Sequence, residues 1–408
     1  GGGGGADDCG GAGMTAVAVI GAGWGDEGKG LMVNFFASRF GKDCLVVRFN
    51  GSAQSSHTVI MPDGRRHVFA HIGSGSFHGA ATYLGPEFVC HPILFLKEIE
   101  ELVTKCSIPE IYVHKNCYVT TPYDMLINQI VEESRGEDRH GSCGIGFGET
   151  IERTEKSEFP LTVLNLVNKN YLVGVLNGIR RNWLPQRLTK LRCQLSQEHR
   201  EIIDSDEVLA RFVDDCQLFL RRVNVTSSGI VLKSFKHIIF EGAQGLLLDQ
   251  NSKFFPYVTR SNTGLKNVLH LVDRAKIDSL EVTYVTRAYM TRHGAGPMPY
   301  ELLNLPYSKI VDNTNIANAY QGRLRFSYLN LDLLQEAIRD DLSLVKRATG
   351  QIAITCMDQL NGEVRFILDG EVQTTSLDRL PHLVSTVCQM PVRYLSFSPV
   401  GPIKNKFL

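Results

Sequence analysis

From Ala16 to Ile20 the chain is apolar, and it then enters Gly21-Ala-Gly-Trp-Gly-Asp-Glu-Gly-Lys-Gly30, a turn carrying two acids and a lysine among glycines. Residues of these types at this spacing suit phosphate chemistry. The glycines permit tight turns and leave backbone N–H groups uncovered, and the amphipathic run from Leu31 sets a helix N-terminus behind them, where anions are favoured. Gly25, Glu27, Gly28 and Gly30 are thus the expected nucleotide-binding residues of the turn. Lys29 supplies a cation for the phosphates, and Asp26 a carboxylate for a metal ion or for proton abstraction. The spacing departs from G-x-x-x-x-G-K-[ST], because Gly30 stands where Ser or Thr would reach magnesium, and it is not a clean dinucleotide fingerprint. An ordinary strand-turn-helix corner has the same local pattern.

Other candidates lie far along the chain. His57 ends the polar loop Gly51-Ser-Ala-Gln-Ser-Ser-His57, and a histidine can deliver a proton near neutral pH, although a lone loop histidine also serves as a hydrogen-bonded surface residue. Arg139-His-Gly-Ser-Cys-Gly-Ile-Gly-Phe-Gly-Glu-Thr150 is a second glycine-rich loop whose hydroxyl and amide donors suit a phosphate monoester. Gln244, in Glu241-Gly-Ala-Gln-Gly245, offers an N–H₂ donor for charge developing on oxygen. Gln321-Gly-Arg-Leu-Arg325 brings two guanidinium groups, by themselves a solvated basic turn able to donate bidentate bonds.

Apolar runs must position these loops. The apolar run from Ala16 reads as a strand, Asp43–Asn50 as a buried strand ending in a polar loop, His237–Asp249 as a strand entering a glycine turn and Val282–Arg287 as another strand, and open α/β sheets place ligands at strand C-termini. Helical spacing marks Ile93–Thr104, and Lys190–Phe219 reads as long peripheral helices. The expected fold class is α/β: a single large domain with a mainly parallel central sheet, a P-loop-like nucleotide site and peripheral helical subdomains. Residues 14–408 are expected to form that domain, with Gly1–Gly13 a disordered glycine-rich leader.

Lys plus Arg and Asp plus Glu both number 43 in 408 residues, so no global field draws the chain to nucleic acid or to an acidic membrane. The ten cysteines include no C-x-x-C pair, which points away from zinc and from a disulfide framework and towards a reducing cytoplasm. No uninterrupted apolar stretch reaches the length of a membrane span.

Gly25-Asp-Glu-Gly-Lys-Gly30 resembles the opening signature of the adenylosuccinate synthetase family. Further resemblances follow in order: Glu241-Gly-Ala-Gln-Gly245, Pro256-Tyr-Val-Thr-Arg-Ser-Asn262, Thr291-Arg-His-Gly-Ala-Gly-Pro-Met-Pro299, the arginine loop, Met357-Asp358, and the closing Ser398-Pro-Val-Gly-Pro402. The resemblance implies a ligase that joins L-aspartate to the 6-oxo position of a purine nucleotide through a 6-phosphoryl intermediate. It implies Asp26 as base, His57 as acid, and Lys29 and Gln244 as further catalytic residues. It implies Mg²⁺ held by Asp26 and the carbonyl of Ser56. Thr58, Asp358 and Gly401 join the nucleotide donor site; Gln54, Ser142, Cys143, Gln244 and Thr259 bind the acceptor; Arg323 and Arg325 clamp aspartate. The sequence departs from the family where Gln54 replaces an asparagine, Ser142, Cys143 and Ile145 replace Thr, Thr and Arg, and Cys356 replaces a lysine. Ser157 stands where the family sends an arginine across a dimer interface, with Arg153 and Lys156 nearby. The leading expectation is IMP as acceptor, GTP as donor and a cytoplasmic homodimer; the alternatives are a phage-type enzyme using dGMP and ATP, and a catalytically silent nucleotide-binding protein.

Overall fold

The apolar runs become the centre of one sheet. The computed structural model describes residues 14–136, 144–311 and 324–405, so Gly1–Gly13, Ser142, Cys143 and Arg323 lie outside the described residues. Ten strands are ordered Ile403–Asn405, Val392–Ser396, Ala348–Thr355, Leu280–Arg287, Thr15–Gly21, His237–Glu241, Cys44–Arg48, Ala81–Leu84, Ile111–His114, Asn224–Thr226. The pairing is parallel throughout except at the last pair on one edge, where Tyr394 faces Asn405 antiparallel. Parallel strands covered on both faces need continuous apolar runs, and Cys44–Arg48 is buried at every position.

Helices and satellite sheets cover the faces. The first helix, Lys29–Phe40, begins directly after the glycine turn and buries Met32, Val33, Phe36 and Ala37. Against the strands Ala81–Leu84 and Ile111–His114, helices Pro92–Leu102, Pro122–Arg135, Lys169–Gly178 and Asp206–Arg222 share one apolar core with Phe95, Tyr123, Leu172 and Phe212, while Leu265–Ala275 packs on Leu45 and Val47 of the opposite face. The expected long helices after Lys190 are Gln197–Asp204 and Asp206–Arg222, each started by a serine whose side chain accepts an amide N–H. A four-stranded sheet (Tyr289–Arg292, Arg325–Asn330, Glu363–Leu368, Glu371–Ser376) and the hairpin of His57–Ile60 with Arg66–Phe69 complete the layers. Among the described residues no helix is long and apolar enough to cross a membrane.

The order of strands decides the chemistry. Thr15–Gly21 lies mid-sheet, with His237–Glu241 on one side and Leu280–Arg287 on the other. The segments after Gly21, Arg48, Glu241, Arg287 and Thr355 therefore emerge side by side at one end of the sheet, although hundreds of residues separate them in sequence.

Candidate active site

The glycine turn is held from two strands. Gly28, at φ 102°, precedes the helix, and a Cβ there would approach Thr355 Cγ2 to 2.9 Å; the Thr355 hydroxyl donates to the Glu27 carbonyl at 2.6 Å. Arg287 donates through Nε to the Asp26 carbonyl. Asp26 itself has φ 59°, left-handed for a residue with a Cβ, and Gln244 on the neighbouring loop has φ 64°. Each such residue costs on the order of 1–3 kcal/mol, a strain that persists where surrounding contacts over-determine it and that clusters at functional sites.

Asp26 has a partner that no local pattern announced. His293 Nε2 lies 3.0 Å from Asp26 Oδ2. Burial works to raise the Asp26 carboxyl, but the hydrogen bond and charge of His293, with Arg287 and Lys29, outweigh it and hold the group below its usual value. Glu27 goes the other way: burial, against the pull of Lys29 at 3.3 Å, raises it to about 7.

His57 is positioned by the next strands. Arg48, wholly buried, donates to the carbonyls of Ala70 at 2.7 Å and Ser55 at 3.2 Å, fixing the loop before His57. Gly30 brings the first helix against it, since a Cβ there would stand 2.7 Å from His57 Cβ. Behind the imidazole, Nδ1 meets Glu241 Oε2 at 2.6 Å, and Ser74 donates to the same carboxylate through its amide at 2.9 Å and its hydroxyl. Burial opposes ionisation of Glu241, but His57, Arg48 and Ser74 bring its carboxyl down to about 2, while burial lowers the His57 imidazole. An ionised carboxylate only accepts, so Nδ1 carries the proton and Nε2 is left for chemistry. Asn50 ties this loop to its neighbour, donating to the Ala243 carbonyl at 3.1 Å and accepting the Ala243 amide at 2.9 Å, one residue before Gln244.

Two cavities open at this end of the sheet. One, about 400 Å³, is lined by Gly25, Asp26, Lys29, Gln54, Ser56, His57, Gln244 and Thr259. The other, about 380 Å³, is lined by Glu27, Gly28, Gly30, Thr58, Arg287, Thr355 and Asp358 as well as Ser396 and Ser398. They share Asp26, Lys29, Ser56 and His57. Burial raises the Asp358 carboxyl. Gln244 Oε1 is buried with no hydrogen-bond partner among the described residues, the state of a group awaiting a ligand.

Of the remaining expected residues, Gly401 lines neither cavity, that wall being made by Ser396, Ser398 and Pro399. Arg325 lines neither as well; it grips Glu301 through two bonds of 2.9 and 2.7 Å and donates to the Gly294 carbonyl at 2.8 Å. Arg153 is unavailable to a partner subunit, being wholly buried on Asp124 at 2.9 Å and on the carbonyls of Phe159 and Val119. Ser157 bonds back to the Arg153 carbonyl at 2.6 Å and ends its helix.

The wall of the first cavity also holds cations that sequence reading passed over. Arg260, paired with Glu152 at 2.6 Å, follows Thr259; Arg135, paired with Glu132 at 2.6 Å, ends a helix; and Phe147, Gly148 and Glu149 open the helix Phe147–Lys156. Adjacency to Thr259 was the available signal for Arg260, whereas Arg135 looked like any terminal helix cation.

A carboxylate, an imidazole and a lysine at the seam of two cavities, one of them at a glycine turn and a helix N-terminus, define an enzyme that couples nucleotide hydrolysis to bond formation. The adenylosuccinate synthetase family model matches residues 18–399. Adenylosuccinate synthetase of Pelodictyon phaeoclathratiforme is 30% identical over 372 residues, covering 88% of this chain and 81% of that protein. The Prochlorococcus marinus (strain AS9601) protein of the same name is 31% identical over 322 residues, 76% of this chain and 70% of its own. The fold is similar to that of fully ligated adenylosuccinate synthetase from Plasmodium falciparum, with TM-score 0.72, 17% identity and coverage of 95% and 98% of the two chains. It is also similar to the cyanophage S-2L succinoaminodeoxyadenylate synthetase bound to dGMP and dATP, with TM-score 0.61, 18% identity and coverage of 96% and 95%. The chain belongs to the adenylosuccinate synthetase family, whose members are nucleotide-dependent C–N ligases.

Proposed function

We propose that this enzyme condenses L-aspartate with IMP at the expense of GTP, and that the two cavities are the acceptor and donor sites. The observation carrying this reading is the shared wall: two nucleotides lying one in each cavity meet across Asp26, Lys29, Ser56 and His57. Asp26, held ionised, takes the N1 proton of the purine; the 6-oxygen then attacks the γ-phosphorus, and the bond to the GDP oxygen breaks. With a second proton on Nε2, and Glu241 stabilising the imidazolium, His57 donates a hydrogen bond to the charge that develops on the transferring phosphoryl group. Lys29 neutralises charge on the transferring group, and the Gln244 amide faces the 6-oxygen. The aspartate amine adds at C6 and loses a proton, and inorganic phosphate leaves with the oxygen. Arg323 and Arg325 hold the amino-acid carboxylates, which exchange for Glu301 on Arg325. Thr259, Gln54, Ser142 and Cys143 bind the acceptor, joined by Arg135 and Arg260 at its phosphate.

The donor set suits Mg²⁺. The Asp26 carboxylate and the Ser56 carbonyl are hard oxygens at the seam, and among the described residues no group of three or more His, Cys, Asp or Glu could hold a metal without substrate. Magnesium commonly takes one or two carboxylates plus substrate phosphates. Bound there, it would supply charge neutralisation between the phosphates. A cytoplasmic homodimer completes the reading.

Phosphate release with Mg²⁺ and aspartate, crossing IMP or dGMP against GTP or ATP, tests it. Turnover with IMP and GTP, and a product heavier than IMP by the aspartyl group, is expected. Turnover with dGMP and ATP alone would assign the altered wall at Gln54 and Ile145 to the other acceptor.

A further inference from the structure

The segment Met290–His293 lies against the glycine turn at three points, and His293 lines the first cavity beside Asp26. Met290 packs on Gly23, where a Cβ would lie 3.2 Å from its Cε; the Arg292 guanidinium stands 5.4 Å over the Trp24 ring; His293 meets Asp26 at 3.0 Å. The segment is rigid for a stated reason. Arg292 is 2% exposed and donates to three carbonyls, Pro297 at 2.8 Å, Tyr257 at 2.7 Å and Ala295 at 3.2 Å, so the loop carrying His293 is anchored on both sides. Tyr289 pairs with Tyr328 across the antiparallel ladder and fixes the start of the segment.

Asp26 needs such support. Its backbone conformation is one that an aspartate rarely holds, its carbonyl is bound by Arg287, and its side chain is 31% exposed to the cavity, so the backbone contact alone leaves χ1 and χ2 to choose among rotamers. A donor on Oδ2 selects one rotamer and leaves Oδ1 to the cavity. We infer that His293 is a positioning residue for the reaction, a fixed N–H donor that aims the Asp26 carboxylate at the acceptor purine. Arg292 acts one step further back, by anchoring His293. The inference rests on the acceptor-site reading given above.

The test compares His293→Ala with His293→Gln, whose Nε2 amide can offer a donor in place of the imidazole Nε2. Misplacing a reacting group by about 1 Å can cost 10²-fold, so His293→Ala is expected to lower kcat by roughly 10- to 100-fold with the KM for IMP and GTP held within about twofold. His293→Gln is expected to recover most of that loss. In an Asp26→Asn background, His293→Ala should cost nothing more, because the two act as one unit. The inference is overturned if a folded His293→Ala keeps kcat within about twofold of wild type, if the loss falls on KM alone, or if the glutamine variant folds but is no better than alanine. If alanine fails to fold, His293→Leu, which fills the space without a donor, takes its place under the same criteria. Absence of turnover by wild type under every nucleotide pairing would instead overturn the acceptor-site reading, and the role of His293 with it.

Discussion

Two histidine–carboxylate pairs stand at the seam between the cavities, and they are built in opposite senses. In one, the carboxylate is hidden: Glu241 is 0% exposed, receives two donors from Ser74, and leaves the imidazole of His57 facing the site. In the other, the carboxylate of Asp26 is presented, 31% exposed, and the imidazole of His293, 18% exposed, bonds to it from the wall of the first cavity. The more exposed member of each pair is the one a ligand meets first. A presented imidazole backed by an anion is stabilised when it carries a proton, whereas a presented carboxylate backed by a donor is stabilised when ionised. The same two residue types thus offer, on the proposed mechanism, an acid and a base on the wall that the two cavities share.

Exchanging the presented members breaks the comparison most severely. His57→Ala and Asp26→Asn are each expected to lower kcat by roughly 10³-fold, within the range of general acid–base catalysis, and Glu241→Gln by about 10-fold, because it removes only the backing charge. Steady-state phosphate release checks the order. Equal losses for Glu241 and His57 would erase the distinction between backing and presented groups.

The hidden carboxylate should also show itself in acid. Its carboxyl sits at about 2 in the folded protein against 4.5 when unperturbed, so below pH 4.5 the unfolded chain binds the extra proton. The stabilisation is therefore fully present above pH 4.5 and is lost as pH falls towards about 2. Urea midpoints of wild type and Glu241→Gln should converge over that window. A constant gap across it would mean that Glu241 does not keep its charge in the fold.

Smallest in its effect on the chemical step is Arg260→Ala. Arg260 lines the first cavity, proposed to hold the acceptor, and belongs to neither pair. The KM for IMP should rise about 10-fold, the scale of one lost charge-assisted hydrogen bond, with kcat nearly unchanged. A fall in kcat without a change in KM would move Arg260 into the catalytic group.

Sequence alone carried much of this molecule. Period, glycine placement and residue chemistry sufficed for the α/β class, for the parallel strands that end in polar or glycine-rich loops, and to single out Asp26, Lys29 and His57 as candidates, because those features are local and each strand or turn writes them within about ten residues. Gln244 and Thr259 were legible through motif order. Lost to sequence was every pairing across the sheet. His57 finds Glu241 184 positions away, and Asp26 finds His293, only because the strands before them are neighbours in register. A histidine between Arg292 and Gly294 carries no local signal of its partner. Nor does Arg153 announce that it is sealed in the core on Asp124, or Arg325 that it already grips Glu301. Side-chain identity fixes what a group can do; which strand ends lie side by side fixes what it meets, and with that its burial, its proton affinity and its place in the reaction.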